Sequence, residues 1–308
     1  MDYRIACVVV TFNRKALLQK CLDAVANQSF KPACVYITDN ASTDGTMDSV
    51  KEWGYYNCVK NGIEFKYFLN SKNEGGAGGF YLGMKTANED APYDALWVMD
   101  DDGEPDTNCL QELVKHLTDR DYIAPIVLSS DDRTTCAFSE NFDTLEKFSK
   151  DMNAQNSVID NWASPFNGIL YSKKLIDKIG YPKKEMFIWG DEKNYHARAL
   201  KEGFIPLTVL GAVHYHPKNR QDQVLSFNGF PIILPNSDWK LYCYVRNLIY
   251  NNRSLQGNIK ALRAIFGFLF FYGYYFMKNG NLKRLTVILN GCKDGWRSDF
   301  NNLNKYFK

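Results

Sequence analysis

The chain is expected to be an α/β protein: a doubly wound, mostly parallel sheet with helices on both faces, followed by a C-terminal helical extension. Three observations point there. The first hundred residues alternate short apolar, β-branched runs with stretches of helical spacing, the signature of strand–helix–strand units. Polar residues cluster where the strands stop, as expected for a crevice at the carboxyl edge of an open sheet. After Asp238 the pattern turns helical to the end.

The elements follow in order. Ile5 to Thr11 is an uninterrupted apolar run, as for a strand buried on both faces. Lys15 to Asn27 places Leu17, Leu18, Cys21, Leu22 and Val25 on one helical face. Cys34 to Thr38 is a second strand ending at Asp39-Asn40, and the turn Ser42 to Thr46 caps a helix reaching Trp53. Phe65 to Leu69 is a third strand. The glycine run Gly75 to Gly79 then opens a helix through Asn88, and Ala95 to Met99 is a fourth strand. Asp131 to Ser157 reads as a long polar surface excursion. Asn167 to Tyr171 and Ile205 to Val213 are further strands; short helices follow Lys173 and Asp191. The expected domains are 1–237, divided near residue 105, and 238–308.

Composition excludes several classes. Lys+Arg of 37 against Asp+Glu of 35 leaves no global field for nucleic acid. The eight cysteines are scattered without a CxxC pair or a His cluster, which argues against zinc and for a reducing, cytoplasmic setting. Met1-Asp2-Tyr3-Arg4 shows no signal-peptide pattern.

The chemistry concentrates at Asp100-Asp101-Asp102. Three adjacent carboxylates at a strand end repel one another unless a cation neutralises them, and oxygen ligands suit Mg²⁺ or Mn²⁺. A solvated acidic turn is the bland alternative. Thr11, Asp39, Asn73 and His216 fall at other strand ends or in the loops after them. Asp39 could accept an imide N–H of a base or be a simple turn residue. The glycine run could bring backbone N–H groups to a diphosphate, though glycines also make ordinary turns. Asp191-Glu192 opens a helix and reads either as a dipole-stabilised cap or as a general base. His214 competes with His216 as a metal ligand.

Val9 to Arg14, Thr38 to Gly45 and Met99 to Asp102 together resemble the family-2 inverting glycosyltransferases with a GT-A fold. The segment Asn73-Glu74-Gly75-Gly76-Ala77-Gly78-Gly79-Phe80, the strand through Glu104-Pro105-Asp106, the run Thr208 to His216 and the set Asp238-Trp239, Tyr242, Arg246-Asn247 resemble the galactofuranosyltransferases in particular. The resemblance implies transfer of galactofuranose from UDP-galactofuranose, or alternatively of rhamnose from a dTDP-sugar, to a hydroxyl of a cell-surface glycan or lipid-linked precursor. It implies metal ligation by Asp100, Asp102 and His216, and contacts to the nucleotide-sugar from Thr11, Asn13, Arg14, Asp39, Asn73, Gly76, Asp100 and Asp101. Glu192 is the implied base, counted from Arg198, with Asp191 as partner; the family has Asp where Glu192 stands. Trp162, Phe166, Asn167 and Trp189 are the implied acceptor contacts.

Residues 258–297 hold an aromatic-rich run flanked by Lys260, Arg263, Lys278, Lys283 and Arg284. Its uncharged core from Ala264 to Met277 is short of the roughly 20 residues a spanning helix needs. It suits the inner face of a membrane, or packing on the catalytic domain, or a dimer interface.

Overall fold

The computed structural model describes residues 3–138, 143–218, 224–227 and 230–307. In chain order the first elements are β1 (Ile5–Thr11), α1 (Lys15–Ala26), β2 (Cys34–Asp39), α2 (Thr46–Trp53), β3 (Glu64–Leu69), α3 (Gly75–Asp90) and β4 (Ala95–Asp100). Then come β5 (Glu104–Pro105), α4 (Cys109–Val114), β6 (Tyr122–Ser129), α5 (Leu145–Asp151), β7 (Val158–Asp160), β8 (Asn167–Ser172), α6 (Lys173–Ile179), α7 (Asp191–Lys201) and β9 (Leu207–His216). A two-stranded hairpin, β10 (Val224–Phe227) and β11 (Phe230–Ile233), precedes the helices α8 (Asp238–Asn251), α9 (Asn258–Gly267), α10 (Gly273–Lys278) and α11 (Leu282–Arg297).

The chain divides into two units. Unit 1 comprises Met1–Pro182 and Arg198–Asn219; unit 2 comprises Lys183–Ala197 and Arg220–Lys308. The sequence pattern suggests a boundary at 237, whereas the contacts draw the loop before α7 and the β-hairpin into the helical unit.

Unit 1 is built on a nine-stranded sheet of order β3-β2-β1-β4-β8-β6-β9-β5, with β7 also on β9. Strands β3, β2, β1 and β4 are mutually parallel, as the alternating pattern requires. Beyond β4 the sheet becomes mixed: β8 is antiparallel to β4 and β6, and β9 is parallel to β6. All seven residues of β1 are buried, which explains its uninterrupted apolar run. Helix α1 buries Leu18, Cys21, Leu22 and Val25 of the face its spacing predicts, whereas Leu17 is exposed. Each such leucine contributes roughly 1.5–3 kcal/mol when fully removed from water.

The sequence pattern does not announce β6. Pro125 interrupts it and removes a ladder donor, and the strand accommodates this with a register shift between Pro125 and Ile126. The polar excursion also holds order: Thr144 caps α5 by accepting from the Lys147 N–H at 3.3 Å. The eight cysteines are all buried and free, behaving as small core residues.

In unit 2, helices α8 to α11 enclose a core of Leu241, Tyr242, Val245, Ile249, Phe276 and Ile288, among others.

Candidate active site

Strand register sets the site in unit 1. Thr11 lies opposite Asp39 across β1 and β2, and Val10 lies opposite Asp100 across β1 and β4. Chain ends that are level in this way bring their loops to one edge. His216 arrives by another route. The short strand β5 directly follows the aspartates and pairs antiparallel with β9, Glu104 opposite Tyr215 and Pro105 opposite His214. That pairing carries the end of β9 to the aspartates.

The three aspartates do different things. Asp101 is buried and turned back on the loop after β1. It accepts from the Thr11 hydroxyl at 2.7 Å, the Phe12 N–H at 3.4 Å and Arg14 Nη1 at 3.2 Å. Arg14 also reaches Asp102 Oδ2 at 2.9 Å, so one half-exposed guanidinium ties two of the three carboxylates. Burial pushes Asp101 up to about 6, against the opposing pull of Arg14 and the Thr11 hydroxyl. Burial and the charges of Asp102 and Asp101 push Asp100 up to about 8. Burial would also raise Asp102, but His216 and Arg14 outweigh it and hold the carboxyl below its ordinary range.

His216 is oriented toward this group. Its Nδ1 lies 2.7 Å from the Pro217 carbonyl, which assigns that nitrogen as the donor. Its Nε2 lies 3.1 Å from Asp102 Oδ1. Yet Asp102 Oδ1 is buried and receives no hydrogen bond, so the approach is an ion pair without hydrogen-bond geometry. With Nδ1 carrying its proton, a neutral ring presents a lone pair to a carboxylate. Only a second proton or a shared cation makes that favourable. Burial disfavours the imidazolium, but Asp102 prevails and raises the His216 pKa. A backbone carbonyl holding the far N–H is also how metal-ligating histidines are commonly oriented. The donor set therefore fits a hard divalent cation, with Asp102 and His216 as its nearest pair. No three His, Cys, Asp or Glu groups converge into a closed ligand set among the described residues.

His214 is placed elsewhere. It is fully buried, its two ring nitrogens have no hydrogen-bond partner, and burial with the neighbouring His216 lowers it to about 3. Its ring fills the space beside Gly103, where a Cβ would lie 2.2 Å from Nε2. The glycine after the aspartates is thus a packing requirement of His214.

Several expected ligand contacts also bond or pack within the chain. Asp39 is fully buried; its Oδ1 accepts from the Ser42 N–H at 2.8 Å and its Oδ2 from the Tyr67 hydroxyl at 2.5 Å. It braces the 40–46 loop. Asn13, at φ +52°, exchanges bonds with that loop: its N–H donates to Ser42 Oγ at 2.8 Å and its Oδ1 accepts from the Thr43 N–H at 2.7 Å. Asn73 accepts from the Gly75 N–H at 2.7 Å and opens α3. Within the glycine run, a Cβ at Gly79 would lie 2.3 Å from Val10 Cγ1, so this glycine lets α3 press on β1. Gly76 has nothing within 4 Å of that position and faces open space. Phe166 is buried and stacks on Phe80 at 4.4 Å, which removes it from any acceptor surface. Asn167 donates to the Pro165 carbonyl at 2.9 Å, and Trp162 packs on Phe148. Tyr67, the side-chain partner of Asp39, carries no sequence signal of its own.

Unit 2 holds the second acidic centre. Asp191 is buried at the first turn of α7, and Glu192 Oε2 accepts from the Gly190 N–H at 2.8 Å. The approach to it is unusual: Phe187, Trp189 and Gly190 have φ of +70°, +61° and +94°. Non-glycine residues there are strained by about 1–3 kcal/mol each. Helix α8 supplies the restraint. The buried Asn247 amide nitrogen lies 2.9, 2.9 and 2.8 Å from the carbonyls of Met186, Ile188 and Trp189. Arg246 donates to Met186 at 2.8 Å, and Asn251 to Gly190 at 2.8 Å. Arg198 lies in unit 1, where it donates to the carbonyls of Ile179 and Tyr181.

A sheet half parallel and half mixed, with an acidic strand end facing a histidine, is the arrangement of a GT-A fold. The chain belongs to glycosyl transferase family 2, whose model matches residues 6–180. It is 32% identical over 222 residues to the galactofuranosyltransferase GlfT1 of Mycolicibacterium smegmatis, covering 69% of this chain and 70% of that protein. Two solved structures share the fold. S. aureus TarS 1–349 superposes with a TM-score of 0.59 at 14% identity, over 97% of this chain and 83% of that one. The mannosyltransferase PcManGT of Pyrobaculum calidifontis, solved with GDP-Man and Mn²⁺, gives 0.55 at 16% identity, over 98% and 88%.

Proposed function

We propose that this glycosyltransferase moves galactofuranose from UDP-galactofuranose to a hydroxyl of a cell-surface glycan or lipid-linked precursor, with inversion at the anomeric carbon. The likeness to GlfT1 supports the donor. The observation that carries the chemistry is the buried Asp102 oxygen 3.1 Å from His216 Nε2, with the other ring nitrogen held by the Pro217 carbonyl. Asp100, Asp102 and His216 would hold Mn²⁺ or Mg²⁺, the ion present in the PcManGT structure being Mn²⁺. Such a cation supplies positive charge for the departing diphosphate.

The chain's own residues do the rest. Asp101 fixes Thr11, Phe12 and Arg14 in the loop that would meet the nucleotide. Gly76, open at the start of α3, leaves room for the donor. Glu192 takes the proton from the acceptor hydroxyl, with Asp191 as its partner. The freed oxygen attacks the anomeric carbon as the bond to the diphosphate breaks on the opposite face. Trp162 in unit 1 and Trp189 in unit 2, both partly exposed, are the proposed acceptor contacts.

The test is a donor screen with Mn²⁺ or Mg²⁺ across UDP- and dTDP-sugars, reading product and anomeric configuration by NMR. Inverted transfer from UDP-galactofuranose supports the reading; transfer from dTDP-rhamnose alone overturns the donor. Glu192→Gln should abolish turnover with nucleotide binding kept, and full activity would move the base to Asp191.

A further inference from the structure

The helical unit carries a second apolar face that its own fold does not use. Residues 258–278 run without a break through α9, a π-helical turn at Phe268–Tyr272, and α10. One side of this helix, through Ala261, Phe268, Tyr272 and Phe276, is buried in the core of unit 2. On the other side Ile259, Leu262, Phe266, Phe270 and Met277 are 70%, 54%, 67%, 53% and 59% exposed. Steps of three, four, four and seven put these five on one helical stripe. A helix that is apolar all round is normally covered all round. Single exposed apolar residues are ordinary, but a contiguous stripe marks an interaction site.

The charge around it is one-sided. Between Asp238 and Asp294 the chain has nine Lys and Arg and no Asp or Glu, although the whole chain is balanced at 37 to 35. Asp238 is taken up by Lys283 and Arg284. Lys260, Arg263, Lys278 and Lys293 are exposed, and among the described residues none has a carboxylate partner.

A second copy of the chain and a bilayer could each cover the stripe. A twofold dimer would set this basic stretch against itself. An anionic lipid surface satisfies the apolar and the charged groups together. We propose that this face seats in the headgroup region of an anionic phospholipid bilayer. The helix lies in the membrane plane, Phe266 and Phe270 enter the acyl boundary, and Lys260, Arg263 and Lys278 meet lipid phosphates. No helix among the described residues is long and apolar enough to cross a membrane, so the contact is with one leaflet. The inference is independent of the donor and acceptor.

The test uses the full chain and vesicles of phosphatidylcholine with and without phosphatidylglycerol, at low and high salt, read by co-sedimentation. Binding should need the anionic lipid and weaken at high salt. Phe266→Ser with Phe270→Ser should lower affinity on the order of a hundredfold, and Lys260→Gln with Lys278→Gln about thirtyfold. Both pairs should keep the wild-type thermal transition, because the residues are exposed. Failure to bind anionic vesicles overturns the proposal, as does unaltered binding by the Phe266/Phe270 variant. A dimer in sedimentation equilibrium that this variant dissolves, with no vesicle binding, assigns the face to a second copy instead.

Discussion

Asn247→Ala tests whether the strained loop before α7 is held for catalysis. The wild-type amide nitrogen faces three carbonyls at 2.8–2.9 Å, and its oxygen accepts from Arg246 Nε at 2.9 Å. An amide has two N–H groups, so it fully satisfies two of the three carbonyls and shares with the third. Removing it takes this donor from the part-buried Ile188 and Trp189 carbonyls, while Met186 keeps Arg246, at about 1–3 kcal/mol each, or about 3 kcal/mol in sum. That amount shifts the melting temperature of such a unit by about 10 °C. The kinetic effect is the discriminating one. Phe187 and Trp189 hold positive φ only while their carbonyl neighbours are fixed, and the relaxed loop would re-aim Glu192. General-base catalysis contributes about 10²–10⁴-fold, so partial misplacement should lower kcat at least tenfold. The donor KM should change less than threefold, because the proposed donor residues lie on the sheet of unit 1. Steady-state kinetics beside differential scanning calorimetry reads both effects. Val245→Ala serves as control, since Val245 is buried on the same helix against Gly291. It should cost stability without changing kcat. A lower melting temperature with wild-type kcat in Asn247→Ala would refute the positioning role and leave a purely structural clamp.

Three other predictions follow from the acidic site and its packing. Asp100, raised to about 8, holds a proton that the unfolded chain releases near the ordinary carboxylate value, so its contribution without metal falls as pH rises from about 4 to 8. Added Mn²⁺ should reverse that loss and bind more tightly with rising pH, releasing protons; calorimetric titration in buffers of different ionisation enthalpy checks it, and pH-independent affinity refutes it. Asp102→Ala and His216→Ala should each reduce Mn²⁺ affinity and turnover by at least a hundredfold. His214→Phe, which fills the same buried space, should retain Mn²⁺ binding, and equal losses at 214 and 216 would contradict the assignment. Gly79→Ala should destabilise by about 1–3 kcal/mol through overpacking on Val10, measured by urea unfolding, while Gly76→Ala should leave stability within about 1 kcal/mol.

What the sequence made legible depended on whether a residue's partner was near it in pattern. Strands β1, β2 and β4 were readable because burial on both faces demands mostly apolar runs, and α1 because Leu18, Cys21, Leu22 and Val25 recur at helical spacing. The aspartates were readable because adjacent carboxylates at a strand end are costly without compensation. By contrast, β6 was hidden by Pro125, whose missing donor is absorbed at a register shift that only the assembled sheet reveals. Asp39 kept two readings, base contact and turn residue, because nothing local shows that Tyr67 comes from the neighbouring strand to take one of its oxygens. The role of Arg246-Asn247 was the least legible. Their partners are backbone carbonyls 58 to 61 positions earlier, and a carbonyl has no identity in a sequence. The same reasoning separates the two histidines. Both end one strand, and alternation along β9 sends their side chains to the same face. Only burial distinguishes them: Gly103 and Gly168 leave a space that the His214 ring fills, while His216 keeps Nε2 toward Asp102. The proposed ligand is thus told apart by what ties down its other nitrogen: the Pro217 carbonyl holds His216 Nδ1, which is why His216 is the histidine proposed to share a cation with Asp102.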